Sequence, residues 1–188
     1  MVFMKKLLLI LFIFSLMYFS LAGCTPGIVP VTPETGTGIV NGDFEIGDFS
    51  GWEVSKSKGF PRVIKSLSCS YCNYIAYMGD GNGGLESDKK ASIEQSVDIP
   101  AGAGNAYLKF KYYINGTDLD GEGYDWMKVF VNDKQIKYVW HDTNVWQEFE
   151  YDISQYIGTT VSVKVEAWTT DGIYPAHYFI DDITVTWE

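Results

Sequence analysis

Histidine is nearly absent from this chain, with only His141 and His177 in 188 residues, and cysteine is scarce, at Cys24, Cys69 and Cys72. Two cysteines beyond the leader region cannot build a four-ligand zinc site. No serine or cysteine sits in a nucleophile motif. Basic residues are also few, 14 Lys and Arg against 24 Asp and Glu, for a formal net charge of −10. A surface of that sign repels phosphate backbones and anionic headgroups, which argues against nucleic acid and charged membrane surfaces as partners. It suits a neutral ligand or a bound cation. Helical periodicity is almost missing after residue 38, so no helix longer than a turn or two is expected.

There is one long hydrophobic run. Lys5-Lys6 precede an apolar stretch from Leu7 to Leu21, broken only by Ser15 and Ser20, and Ala22-Gly23-Cys24 follow. Charge, apolar core and small residues in that order make a secretory signal peptide. The stretch is short for a membrane-spanning helix of about 20 residues. Leu21-Ala22-Gly23-Cys24 resembles the bacterial lipobox. That resemblance implies lipidation at Cys24, removal of residues 1–23, and an exported protein held at the bacterial cell envelope by acyl chains, two or more of which give stable attachment. An ordinary signal peptide with a coincidental cysteine is the alternative. Cleavage would remove two lysines and no acid, leaving 165 residues with a net charge of −12. Residues 24–38, rich in Pro, Gly and Thr, read as a semi-extended spacer.

In an oxidising compartment Cys69 and Cys72 are expected to close a small disulfide loop. The competing thioredoxin-like redox reading requires a βαβ context, and the sequence has none.

From Ile39 to Glu188 short runs rich in Val, Ile, Tyr, Phe, Trp and Thr alternate with Gly, Asn and Asp clusters, the pattern of an all-β antiparallel sandwich. Strands are expected at 74–78, 91–99, 106–114, 126–131, 135–140, 147–151, 160–168 and 177–187, with weaker ones near 39–44, 52–54 and 62–64. Alternation assigns faces. Val161, Val163, Val165 and Ala167 point to the core, and so do Leu108, Phe110, Tyr112 and Ile114, with Met127, Val129 and Val131. Trp126, Lys128, Phe130, Tyr113, Glu166 and Trp168 then point outward. On the last strand the same rule groups Asp181 with Phe179, Ile183 and Val185 on the inner face.

The opening Asn41-Gly42-Asp43-Phe44-Glu45-Ile46-Gly47-Asp48-Phe49-Ser50-Gly51-Trp52 and the closing Tyr178-Phe179-Ile180-Asp181-Asp182-Ile183-Thr184-Val185 resemble galactose-binding-like jelly rolls. These include carbohydrate-binding modules of families four and twenty-two and the related MAM-like domains. Ile93 to Pro100 and Asp152 to Gly158 match the same architecture at the expected places. The resemblance implies a jelly roll and a structural calcium ion held by Glu45 and Asp181, with Asp43 and Asp182 as second choices. An inward carboxylate needs a cation or hydrogen-bond donors to offset its desolvation. The other reading of Asp181 is a buried group satisfied by backbone amides.

Other acidic clusters are weaker. Asp118 to Asp125 resembles the start of an EF-hand loop, but Val129 stands where the bidentate Glu belongs. Glu148, Glu150 and Asp152 alternate as carboxylates do on some glycosidase floors, without a glycosidase signature. The expected function is therefore non-catalytic binding. Trp126, Trp168 and Tyr113 would stack on sugar rings while Lys128 and Glu166 bind hydroxyls. A protein-interaction, adhesion or surface-scaffold role would use the same aromatics as a contact patch, and the aromatics could also simply pack. Trp52 and Trp146, beside turn motifs, are expected to be structural.

Overall fold

The structure, a computed structural model, describes residues 36–56, 61–66, 74–79, 89–116, 125–169 and 176–188. One compact unit runs from Thr32 to Glu188, and the other, Met1–Val31, lies outside the described residues. Cys24, Cys69, Cys72 and most of the Asp118–Asp125 run also lie outside them.

Eleven strands are seen among the described residues: β1 (Gly36–Thr37), β2 (Glu53–Lys56), β3 (Arg62–Lys65), β4 (Tyr74–Tyr77), β5 (Lys89–Asp98), β6 (Ala106–Asn115), β7 (Trp126–Val131), β8 (Lys134–Val139), β9 (Gln147–Asp152), β10 (Thr160–Thr169) and β11 (His177–Trp187). They form two antiparallel sheets. One is ordered β3-β4-β11-β6-β9, with β1 also on β11, and the other is ordered β2-β5-β10-β7-β8. The crossovers between sheets are those of a jelly-roll sandwich. The described helical content is a single 3-10 turn, Ser154–Tyr156.

Local chemistry explains the turns. Asn132 and Asp133 adopt φ of 48° and 62°, which makes the tight β7–β8 hairpin turn that matches strand twist. The Asn132 side chain then accepts a hydrogen bond from Ser162 N at 2.8 Å. Asp152 accepts from Ser154 N at 2.8 Å and turns the chain out of β9, while Ser154 Oγ accepts from Ala106 N at 2.9 Å and ties that turn to β6.

Alternation holds where the sequence placed it on β6, β7 and β10. Leu108, Phe110, Tyr112, Ile114, Met127, Val129, Val131, Val161, Val163, Val165 and Ala167 are all buried in one core. On β11 it fails. Tyr178 and Ile180 are buried above residue 181, Ile183 and Val185 below it, and the pairing with β6 shifts register between Asp181 and Thr184. Asp182 has φ of 51° there. This is a β-bulge, which inserts a residue and resets the phase of the strand. Phe179 is consequently turned to the outer face, against the expectation from strict period two.

The weak strand expected at 39–44 is replaced by turns, with positive φ at Asn41 and Phe44. The Gln95 amide serves Val40 as a neighbouring strand would: Val40 N donates to its Oε1 at 2.7 Å and its Nε2 donates to Val40 O at 3.0 Å. Gly42 sits so close to β11 that a Cβ would lie 1.9 Å from the Ile183 carbonyl oxygen, and the Gly42 carbonyl accepts from Ile183 N at 2.9 Å. Within the expected spacer, Gly36 and Thr37 already pair with Trp187 and Thr186.

Candidate functional site

Four of the five expected ligand residues come together. Trp126 faces Trp168 and Lys128 faces Glu166 in register across β7 and β10, on the outer face of the five-stranded sheet. Tyr113 lies on β6, in the other sheet, so the five cannot act as one surface. Trp126 is outside the core cluster, yet it is only 8% exposed. The Lys128 ammonium stands 3.9 Å from its ring centroid, and Trp168 meets it edge-on at 5.6 Å and 60°. A sugar would have to displace that lysine to stack on the ring. Glu166 is engaged by Lys90 at 2.9 Å.

Tyr113 belongs to a different assembly, on the outer face of the six-stranded sheet. Tyr77 on β4, Phe179 on β11 and Tyr113 on β6 are register partners across three adjacent strands. Their rings form a continuous row: Tyr77 to Phe179 at 5.1 Å, Phe179 to Tyr113 at 5.8 Å, and Tyr113 to Trp146 at 6.0 Å. Interplanar angles along it are 40°, 31° and 36°, so each ring is tilted against the next and none is crossed as steeply as Trp126 and Trp168 at 60°. Phe179, Tyr113 and Trp146 are half-buried, whereas Tyr77 is 2% exposed and backs the row. Polar groups frame it. The Tyr77 hydroxyl and His177 Nδ1 share a hydrogen bond at 2.7 Å, and the Arg62 guanidinium lies 5.0 Å from the Tyr77 ring centroid, a cation–π contact.

Sequence reasoning found Tyr113 and missed the rest of the row. Phe179 was hidden by the bulge, since two residues out of phase on one strand look inward under strict alternation. The signal available was that Tyr178 and Ile180 are out of phase with Ile183 and Val185, with an Asp-Asp pair between them. Trp52 is structural as expected, buried with its Nε1 donating to Asn41 O at 3.1 Å; Trp146 joins the aromatic row.

At the bulge, Asp181 is 3% exposed. Burial pushes its carboxyl up to about 7, the charges of Asp182, Glu45 and Asp43 adding to the rise and the Asp182 amide opposing it. Glu45 lies in the opening loop, where its Oε1 accepts from Tyr74 N at 3.1 Å, and Asp43 Oδ1 accepts from Glu45 N at 3.3 Å. Asp182 is drawn outward to Lys111 at 2.8 Å. Among the described residues no group of three or more His, Cys, Asp or Glu is arranged to hold a metal ion. The oxygen chemistry of Glu45 and Asp181 fits a hard cation, provided backbone carbonyls supply the rest; the ion pair of Asp182 takes it out of the set.

No protein-family model matches the chain, and no curated protein does. Solved structures do match. A family 61 carbohydrate-binding module, TmCBM61, solved with β-1,4-galactotriose aligns at TM-score 0.60 and 20% identity over 81% of this chain and 100% of that one. The chain shares the jelly-roll fold of that module. The family 27 module CBM27-1 of Caldicellulosiruptor saccharolyticus, solved with mannohexaose, aligns at TM-score 0.53 and 12% identity over 81% of this chain and 97% of that one. The enzymatically active domain of tailspike protein 4 of bacteriophage CBA120 aligns at 0.51 and 9% identity, with only 21% of that chain covered. At such identities the likeness is one of fold.

Proposed function

We propose that this domain is a non-catalytic carbohydrate-binding module that presents a glycan-stacking platform on the outer face of its six-stranded sheet. The observation that carries the reading is the in-register aromatic row of Tyr77, Phe179 and Tyr113, extended by Trp146. The half-buried rings of Phe179, Tyr113 and Trp146 offer apolar area to the C–H faces of pyranoses, with buried Tyr77 behind them, while Arg62, His177 and hydroxyl groups nearby supply hydrogen bonds. The two modules of like fold were solved with neutral oligosaccharides, which agrees with this reading. The non-catalytic assignment is supported by the engagement of the β9 carboxylates, Glu150 with Lys109 at 2.7 Å and Asp152 with the Ser154 amide.

In the same proposal a calcium ion held by Glu45 and Asp181 braces the opening loop against the bulge, and Cys24 carries the lipid that holds the exported protein at the cell envelope. Calcium would supply positive charge to a buried carboxyl that is otherwise driven to keep its proton.

The test is affinity electrophoresis and calorimetry with galactan and mannan. Phe179→Ala and Tyr113→Ala are expected to lose at least about tenfold in affinity, or about 1.4 kcal/mol, while still unfolding cooperatively at a moderately lowered melting temperature, since both rings are half-buried. Full retention by both variants would refute the platform. If no polysaccharide is retained by the unaltered domain, the row is better read as a contact patch for a surface protein.

A further inference from the structure

The aromatic row occupies only one end of its sheet face. Further along the same strands, on the same outer face, a groove of about 430 Å³ opens between β6, β9 and β11, lined by Lys109, Lys111, Glu148, Glu150, Asp182 and Thr184. Lys111 follows Tyr113 at the next outward position of β6, and Lys109 follows Lys111, so platform and groove are continuous.

The chemistry of the groove is unusual for so acidic a protein: both lysines are present, and both are already bonded. Lys109 holds Glu150 at 2.7 Å and Lys111 holds Asp182 at 2.8 Å. Each carboxylate partner pushes its lysine's pKa upward, so both ammonium groups stay charged and both charges are matched. Glu148 adds a further carboxylate opposite Lys111, which leaves the lining net negative. An incoming carboxylate or sulfate would find no spare cation and would face repulsion. A hydroxyl is both donor and acceptor and meets both halves of each ion pair at once, through remaining N–H donors on lysine and remaining lone pairs on the carboxylate.

The dimensions constrain the ligand too. Tyr113 and Lys109 are four residues apart on one strand, roughly 13 Å at about 3.3 Å per residue, too far for one sugar ring to touch both.

We infer that the groove is a polar extension of the aromatic platform, and that the ligand of this face is an uncharged glycan chain lying along β6 with one part stacked on Phe179 and Tyr113 and the next part hydrogen-bonded by the Lys109–Glu150 and Lys111–Asp182 pairs. This rests on the glycan reading above and adds to it a direction, a minimum length and a charge class.

Calorimetry with β-1,4-galacto-oligosaccharides of increasing length, mannohexaose and polygalacturonate tests it. Affinity should rise with length as the groove fills, and polygalacturonate should bind far more weakly than the neutral chains. Lys109→Ala and Glu150→Ala change exposed side chains and should melt like the unaltered domain. Each should lose about tenfold in affinity for the longest neutral chain while binding the shortest as before. A hexasaccharide bound equally by these variants and by the unaltered domain, with Phe179→Ala still defective, would overturn the groove and leave the platform standing. Equal or tighter binding of polygalacturonate would overturn the charge class, and failure of the unaltered domain to bind any probe would overturn both readings.

Discussion

Trp126→Ala is expected to destabilise the domain by about 3 kcal/mol, although Trp126 points away from the core. A tryptophan buries up to about 250 Å², and at about 25 cal/mol per Å² the ceiling is about 6 kcal/mol. With 8% of the residue exposed, nearly all of that area is withdrawn from water. Much of the ceiling is recovered on truncation, because Lys128 and Trp168 lie over the ring at the surface and can drop into the gap, as side chains around a sealed core cavity cannot. Two losses are not recovered. The cation–π contact with Lys128 at 3.9 Å contributes about 0.5–1 kcal/mol, and the edge contact with Trp168 at 5.6 Å about 0.5–1.5 kcal/mol. Urea unfolding followed by circular dichroism measures the change, provided the slope m is unaltered. Trp168→Ala, at a half-buried position, should cost less, about 1 kcal/mol, and the double variant should cost less than the sum because the two rings share a contact. If Trp126→Ala stays within about 0.5 kcal/mol of the unaltered protein, the ring is an open surface group and the reasoning from its lysine lid is wrong.

Three further outcomes are expected. In calcium-free protein Asp181 keeps its proton to about 7 against an ordinary value of 3.8, so its stabilising contribution is complete below about pH 4 and is lost as pH rises through 7, a swing of at most about 4 kcal/mol at about 1.4 kcal/mol per unit, reduced by solvent screening. Asp181→Asn should flatten that slope, and calcium at about a hundredfold excess over its Kd should add about 2.7 kcal/mol at neutral pH; identical melting with chelator and with millimolar calcium would count against the ion. Gly42→Ala should cost about 1–3 kcal/mol, since the new methyl meets a backbone carbonyl that cannot step aside; an unchanged urea midpoint would contradict the close approach. Cys24→Ala should move the protein from the membrane fraction to the soluble fraction, and unchanged fractionation would argue against the lipid anchor.

How much of this was legible beforehand differs by strand. On β10 nothing interrupts the alternation, so Val161 to Trp168 could be sorted into inner and outer faces from their order alone. On β11 the bulge at Asp181 and Asp182 breaks the period, and because side chains alternate every residue, one inserted residue reverses the face of everything beyond it. That single event concealed Phe179 and with it the aromatic row. Trp126 shows a different limit. Its face could be read from its own strand, but its ring is covered by Lys128 of β7, Trp168 of β10 and Lys90 of β5, the last with its ammonium 6.0 Å from the ring centroid. The sugar-facing set was therefore drawn from two opposite surfaces, because alternation says which residues leave the core without saying which sheet they leave from.

The pairing of β1 with the last two residues of β11 also has a mechanical consequence. Gly36 lies beside Trp187 and Thr37 beside Thr186, whereas the platform is centred on Phe179 of the same strand. About eight residues at about 3.3 Å each put roughly 25 Å between the two. The β1 pairing thus sits at one end of β11 while the rings lie toward the other. Opening the short β1–β11 clasp would therefore leave the register of Phe179 with Tyr77 and Tyr113 in place, because the clasp engages only the far end of β11.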